Sequence, residues 1–154
     1  MTEAAGSRIE RLYRDEGDRL WRAMLFFSGD REVASDAVAE AFARALRWDA
    51  GIRDPRAWVW RTAFRLASAE LRRRRRLSPL VERPYELSDA PALLASVLPR
   101  LSPRQRACIV LHYYGGYPLK EVAAIVGSTS SAVAVHLHRG RARIRELVGE
   151  ADED

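Results

Sequence analysis

LSPRQRACIVLHYYGGYPLKEVAAIVGSTSSAVAVHLHRGRARIREL, residues 101–147, reads as three helices because start and stop signals fall where the apolar spacing changes. Ser102, Pro103 and Gln105 form a capping-box pattern with proline at the first helical position, so a serine oxygen and a glutamine side chain can each satisfy an orphan backbone amide. Ala107, Val110, Leu111 and Tyr114 then share one helical face until Gly115 and Gly116 stop it. Pro118 opens a short helix with the stripe Leu119, Val122, Ala123 and Val126, and Gly127 supplies the left-handed residue that helix ends favour. After the turn Gly127-Ser128-Thr129, Val133, Leu137, Ile144 and Leu147 keep one face of a longer helix apolar. His136, His138, Arg139, Arg141, Arg143 and Arg145 supply its polar positions. Such a helix can dock in a DNA major groove with early residues (Ser130, Ser131, Ala134) near base edges and its arginines Arg139, Arg141 and Arg143 near phosphates, with His138 among the DNA-facing positions. The alternative is a small helical hairpin with a solvated arginine face; capping, turn length and basic face together favour DNA.

The whole chain, at 154 residues and 47% apolar, suits two small domains and excludes wholesale disorder. A formal charge of +5 and an isoelectric point near 10.0 suit a nucleic-acid partner. Arginine supplies 25 of the 26 basic residues, which favours bidentate phosphate and guanine contacts or reflects a GC-rich genome. The single cysteine, Cys108, excludes an internal disulfide and a cysteine zinc cluster, and its apolar helical setting predicts a buried structural thiol. No apolar run reaches the ~18 residues of a membrane span, and the N-terminus lacks a signal-peptide core, so a cytoplasmic protein is expected.

Upstream, Ile9, Leu12, Tyr13, Leu20, Met24 and Phe27 fall at helical intervals up to Ser28-Gly29, across a polar break at Glu16 and Gly17. Asp30 is a suitable N-cap for a second helix whose apolar pairs Val33/Ala34, Ala37/Val38, Ala41/Phe42 and Ala45/Leu46 repeat every four residues. Asp54 and Pro55 start a third, with Trp58, Val59, Thr62, Ala63 and Leu66 facing inward and Arg72 to Arg76 at its end. On that helix Trp60 and Phe64 project from the opposite side, flanked by Arg61 and Arg65. Aromatics interleaved with arginines can stack on unpaired bases, or the two rings can pack under a neighbouring helix; the pattern leaves both open. The arginine run, Arg72 and Arg73 included, is either a solvated helix end or a phosphate contact, and its self-repulsion favours the phosphate. An all-α fold of two helical domains is therefore expected, residues 8–77 and 91–149, with a flexible linker at 78–90. A short helix at 92–98 joins the second domain, and 150–154 form a frayed acidic tail.

This order of parts resembles a bacterial RNA polymerase sigma factor of the extracytoplasmic-function (ECF) group in the sigma-70 family, over about residues 8–148. SGDREVASDAVAEAFARALRW and DPRAWVWRTAFRLASAELRRRRR are similar to region 2. LPRLSPRQRACIVLHYYGGYPLKEVAAIVG and HLHRGRARIREL are similar to region 4. The resemblance implies that the helix from Asp30 to Trp48 binds the clamp coiled coil of core polymerase through Asp36, Glu40, Arg44 and Arg47. It implies that Trp60, Arg61, Phe64 and Arg65 meet the separated strand of the minus-ten element, and that the helix from Ser130 reads the minus-thirty-five element. The loop Tyr113–Tyr117 would lie near the polymerase flap, and an anti-sigma factor is a further partner common in the group. Ala39, Arg65, Ala132 and Ala134 depart from the family's usual residues, so its promoter sequence does not transfer, and a degenerate member that starts transcription poorly stays open. A stand-alone dimeric helix-turn-helix regulator is the alternative. An enzyme is not expected: His112, His136 and His138 show no metal-ligand spacing, no phosphate loop or nucleophile elbow is present, and neither cofactor nor metal is implied. The histidines are read as polar surface or phosphate contacts.

Overall fold

The computed structural model describes residues 2–79 and 91–153, with side chains over 8–79 and 91–150. The described residues are helical, without strands. The chain divides into two compact units, Met1–Pro84 and Tyr85–Asp154. Most of the expected linker, residues 80–90, lies outside the described residues.

Unit 1 is a bundle of α1 (Thr2–Ser28), α2 (Arg31–Trp48) and α3 (Pro55–Leu77). The polar break in α1 does not interrupt it. Glu16 accepts from Arg56 Nε of α3 at 3.1 Å, and a side chain at Gly17 would sit against the Tyr13 ring, 3.4 Å from Cδ2. Gly29, at φ +68°, ends α1 and donates its amide to Leu25 O at 2.7 Å. Asp30 then starts α2, its Oδ1 accepting from the amides of Glu32 (2.9 Å) and Val33 (3.0 Å). Its second oxygen accepts from Arg74 Nη1 of α3 at 2.6 Å, so one carboxylate caps α2 and holds the far end of α3. Ile9, Leu20, Met24, Val33, Ala41, Phe42 and Val59 fill the centre, each large apolar side chain contributing about 1.5–3 kcal/mol on leaving water.

Unit 2 begins with α4 (Ala92–Val97), one residue shorter than expected because Leu98–Arg100 tighten into a 3₁₀ turn around Pro99. The capping box of α5 (Pro103–Ile109) forms as the pattern requires, Gln105 N donating to Ser102 Oγ and Ser102 N to Gln105 Oε1, both at 3.2 Å. The helix then widens into a π turn over Val110–Tyr114, where the Gly115 amide reaches back five residues to Val110 O at 2.9 Å. Apolar spacing carries no signal for that extra residue per turn. His112 Nδ1 lies 2.8 Å from Tyr117 O, fastening this turn to the entry of α6 (Leu119–Val126), so His112 belongs to the fold and not to a phosphate contact. Gly127 takes the left-handed conformation (φ +72°), and Thr129 starts α7 (Ser130–Glu153), its hydroxyl accepting from Ala132 N at 3.1 Å. Val133, Leu137 and Leu147 of α7 are buried, Ile144 half-buried. Gly140 lets α7 approach α5 closely, since a Cβ there would lie 3.1 Å from Ile109 Cγ1. The tail expected to fray from residue 150 instead continues α7 to Glu153. Cys108 is buried, and burial pushes its thiol up to about 11 despite the opposing charge of Arg104.

Replacing Asp30 with alanine removes both amide caps and one acceptor of the nearly buried Arg74. The expected loss of stability is about 1–2 kcal/mol in urea denaturation, with a smaller loss for Asp30→Asn, which keeps a capping oxygen. Equal stability of D30A and the native chain would show that the corner is held by packing alone.

Candidate nucleic-acid interface

The outer face of α7 is built by its inner one. With Val133 and Leu137 committed to the core, helical geometry leaves Ser130, Ser131, Ala134, His138 and Arg139 exposed. These are the positions the sequence assigns to base edges and phosphates. Two of the arginines are partly engaged within the unit: Arg141 Nη1 donates to Tyr113 Oη at 2.8 Å, and Arg143 Nη1 lies 3.1 Å from Glu146 Oε2. Both are surface contacts, which contribute little to stability and exchange readily for phosphate. Beside Arg139, α5 and the 3₁₀ turn add Arg100 and Gln105 to an open cleft of about 420 Å³ completed by Ala142, Arg143 and Glu146. Sequence reasoning missed Arg100 and Gln105. They join the cleft only through the α5–α7 packing, and Gln105 was already assigned to the capping box.

Of the two readings that the pattern left open for Trp60 and Phe64, the structure has the packed one. Both rings point into the bundle, 1% and 6% exposed. Phe64 packs on Phe27 with centroids 4.8 Å apart, and the Arg56 guanidinium lies over the Trp60 ring at 5.0 Å. The reason is that α3 is buried on two sides, by α1 and by α2. A ring opposite Val59 therefore meets the other helix instead of solvent. Leu66, expected inward, is only half-buried. Arg61 is half-exposed and Arg65 exposed, so the cations beside the rings remain on the surface while the rings do not.

The arginine run is likewise divided. Arg74, 14% exposed, is shared by Asp30 and Glu70 Oε1 (3.0 Å), and Arg73 Nη2 lies 2.7 Å from Glu70 Oε1. Hydrogen bonds from Arg73 and Arg74 hold the Glu70 carboxyl down to about 2. Burial works to raise Asp30, but the Val33 amide, Arg74 and the Glu32 amide outweigh it and leave Asp30 below the usual carboxylate range. Arg73, expected at phosphate, is 54% exposed and pairs with Glu70 on the surface of its own helix, a contact of the same kind as Arg143–Glu146. Arg72, Arg75 and Arg76 are exposed.

The expected polymerase face lies on α2. Asp36 and Ala39 are exposed, and Glu40 accepts from Arg44 Nε at 2.9 Å and Arg47 Nη2 at 3.3 Å. Those cations keep Glu40 ionised well below the usual range, the Arg44 hydrogen bond foremost. The acid and the two arginines therefore form one fixed charged surface, with Leu46 half exposed at its edge. Among the described residues no group of three or more His, Cys, Asp or Glu is placed to hold a metal, and no helix is long and apolar enough to cross a membrane.

A helix-turn-helix with a basic outer face thus stands on one chain with a three-helix bundle. Likeness to known proteins narrows this. Residues 12–77 match the family model for Sigma-70 region 2, and residues 92–144 match that for Sigma-70, region 4. The RNA polymerase sigma-E factor of Streptomyces avermitilis is 32% identical over 162 residues, covering 95% of this chain and 88% of that one. The probable ECF RNA polymerase sigma factor SigI of Mycobacterium tuberculosis is 34% identical over 146 residues, 77% of this chain. The chain spans only 48% of that relative's length. Among solved structures, CnrH in complex with the cytosolic domain of CnrY is 26% identical with a TM-score of 0.70, covering 97% of this chain and 95% of that one. The sigma factor RpoE bound to the anti-sigma factor NepR from Bartonella quintana shares the fold at a TM-score of 0.76 and 19% identity, covering 91% and 96% of the two chains. The chain belongs to the sigma-70 family, in its ECF group.

Two outcomes test this geometry. Trp60→Ala should cost about 3–5 kcal/mol in guanidinium unfolding, as for other large core aromatics; a loss under about 0.5 kcal/mol would place the ring outside the core. The Glu70 cluster should stabilise the protein fully above the ordinary carboxylate range and lose that contribution as pH falls from about 4.5 toward 2. Glu70→Gln should flatten this stretch of the pH-stability curve, and an unchanged acid limb would remove Glu70 as its source.

Proposed function

We propose that this chain is a promoter-specificity subunit. It binds core RNA polymerase through unit 1, recognises two spaced DNA elements with its two units, and performs no bond chemistry itself. The observation that carries the reading is the pairing, on one chain, of region 2 and region 4 matches with an α7 whose exposed face is polar and basic. The charged α2 face of Asp36, Glu40, Arg44 and Arg47 is the proposed clamp contact. Ser130, Ser131 and Ala134 are the proposed base-edge readers, and His138, Arg139, Arg141 and Arg143, joined by Arg100 at the cleft, the phosphate contacts. Arg61, Arg65 and Arg72 are proposed to hold the backbone of the opened strand. One solved structure of similar fold, bound to the anti-sigma factor NepR, suggests an anti-sigma partner here as well, and work beside polymerase in the cytoplasm is part of the same reading. The domain limits that follow are 8–77 for polymerase and minus-ten functions and 91–149 for the minus-thirty-five function.

Binding measured across a salt series tests the DNA half of this reading. Replacing Arg139, Arg141 and Arg143 with alanine in the polymerase complex should weaken duplex binding and reduce the salt slope by about one unit for each phosphate no longer neutralised. An unchanged slope would remove the three arginines from the interface.

A further inference from the structure

The basic surface of α7 has two flanks. Counting about 100° per residue from the buried stripe of Val133, Leu137 and Gly140, Ser130, Ala134 and Arg141 fall on one side and Arg139 and Arg143 on the other. A helix in a major groove has a phosphate strand on either side, so each flank needs its own cation. The two flanks hold theirs differently. Arg143 Nη1 lies 3.1 Å from Glu146 Oε2, a neighbour on the same helix. Arg141 Nη1 donates to Tyr113 Oη at 2.8 Å, a bond between residues 28 apart in the chain. A carboxylate offsets the charge of a guanidinium and competes with phosphate for it. A hydroxyl fixes the group in place and leaves its charge whole. The Tyr113 bond uses a single N–H of Arg141, so the others can meet a phosphate while it stands.

Tyr113 is itself firmly placed. It lies in the π turn Val110–Tyr114, which three successive amides close: Gly115 N on Val110 O at 2.9 Å, Gly116 N on His112 O and Tyr117 N on Leu111 O, both at 3.2 Å. Widened turns of this kind recur at functional sites. The His112 ring, with Nδ1 2.8 Å from Tyr117 O, meets the Tyr113 ring edge-on at a centroid distance of 4.9 Å. Tyr113 is nonetheless 55% exposed, so its ring stands at the surface beside α7 and adds little to the core.

We propose that Tyr113 is the positioning residue of Arg141: its hydroxyl holds the guanidinium in place on the Ser130–Ala134 flank of α7, where Arg141 takes a backbone phosphate of duplex DNA. This rests on the DNA-binding reading of unit 2 and deepens it by setting one arginine apart. Arg143 has to leave Glu146 before it meets a phosphate, whereas Arg141 is ordered beforehand and keeps its partner. An arginine that grips a phosphate gives up rotamer freedom, and the Tyr113 bond removes part of that freedom in the free protein.

Phosphate contacts are independent of sequence, so the probe is a fluorescein-labelled duplex of randomised sequence. Its binding to the full chain is measured over a salt series for the native protein, Tyr113→Phe, Arg141→Ala and the double variant. Tyr113→Phe keeps the ring and every charge, and should weaken binding about threefold at an unchanged salt slope. Arg141→Ala should reduce the slope by about one unit, and adding Tyr113→Phe to it should weaken binding no further. Every variant should keep the native urea midpoint. Native affinity in Tyr113→Phe, or a loss that persists without Arg141, overturns the positioning role. A urea midpoint lowered by Tyr113→Phe also overturns it, by making the hydroxyl a contact of the fold. An unchanged slope in Arg141→Ala removes Arg141 from phosphate and the proposal with it. Duplex binding by the native chain that salt does not weaken overturns the DNA-binding reading and this proposal together.

Discussion

One carboxylate organises unit 1. Asp30 starts α2 with one oxygen and draws Arg74 of α3 onto the same corner with the other, while Glu70 closes the set on Arg73 and Arg74. Arg74 is only 14% exposed and is shared by two acids, so this arrangement is a constraint as much as a stabilisation: removing either acid leaves it one carboxylate partner instead of two. It also decides which cations are left for function. Of five consecutive arginines, only Arg74 is drawn into the corner; Arg73 pairs with Glu70 at the surface and Arg72, Arg75 and Arg76 are exposed, so the run is one structural anchor flanked by solvated charges.

Unit 2 is organised by backbone geometry. Gly127 in the left-handed region permits the tight turn into α7, Gly140 permits close packing of α7 on α5, and the His112–Tyr117 contact fixes the π turn that leads to α6. These features set the orientation of a helix whose buried stripe dictates its exposed one. The polar face of α7 is therefore presented by packing, and a change at Gly140 would move every residue on it without touching any of them.

How much of this was legible in the sequence depended on whether a signal was local. The caps at Asp30, Asp54 and Ser102, the glycine stops and the stripes of α2 and α7 are written in residues a few positions apart, and the structure forms them where they are read, except that Leu46, read into the α2 stripe, is half exposed. The failures are tertiary. Whether Trp60 and Phe64 face solvent depends on a second helix crossing α3, which periodicity on α3 cannot report. Arg100 and Gln105 reach the α7 cleft through packing, and the widened turn at Val110–Tyr114 alters backbone spacing without altering apolar pattern. The family resemblance was legible because it rests on runs of residues in order. Which individual side chains meet DNA was not, because that depends on which faces the folded units leave open.

The central claim is that this chain redirects polymerase to promoters. In vitro transcription over a genomic promoter library, with core polymerase from the source organism in the presence and absence of the protein and with mapping of every start, tests it most directly. The account predicts new starts, present only with the protein, that share two upstream elements at fixed spacing. An identical set of starts with and without it would contradict the claim.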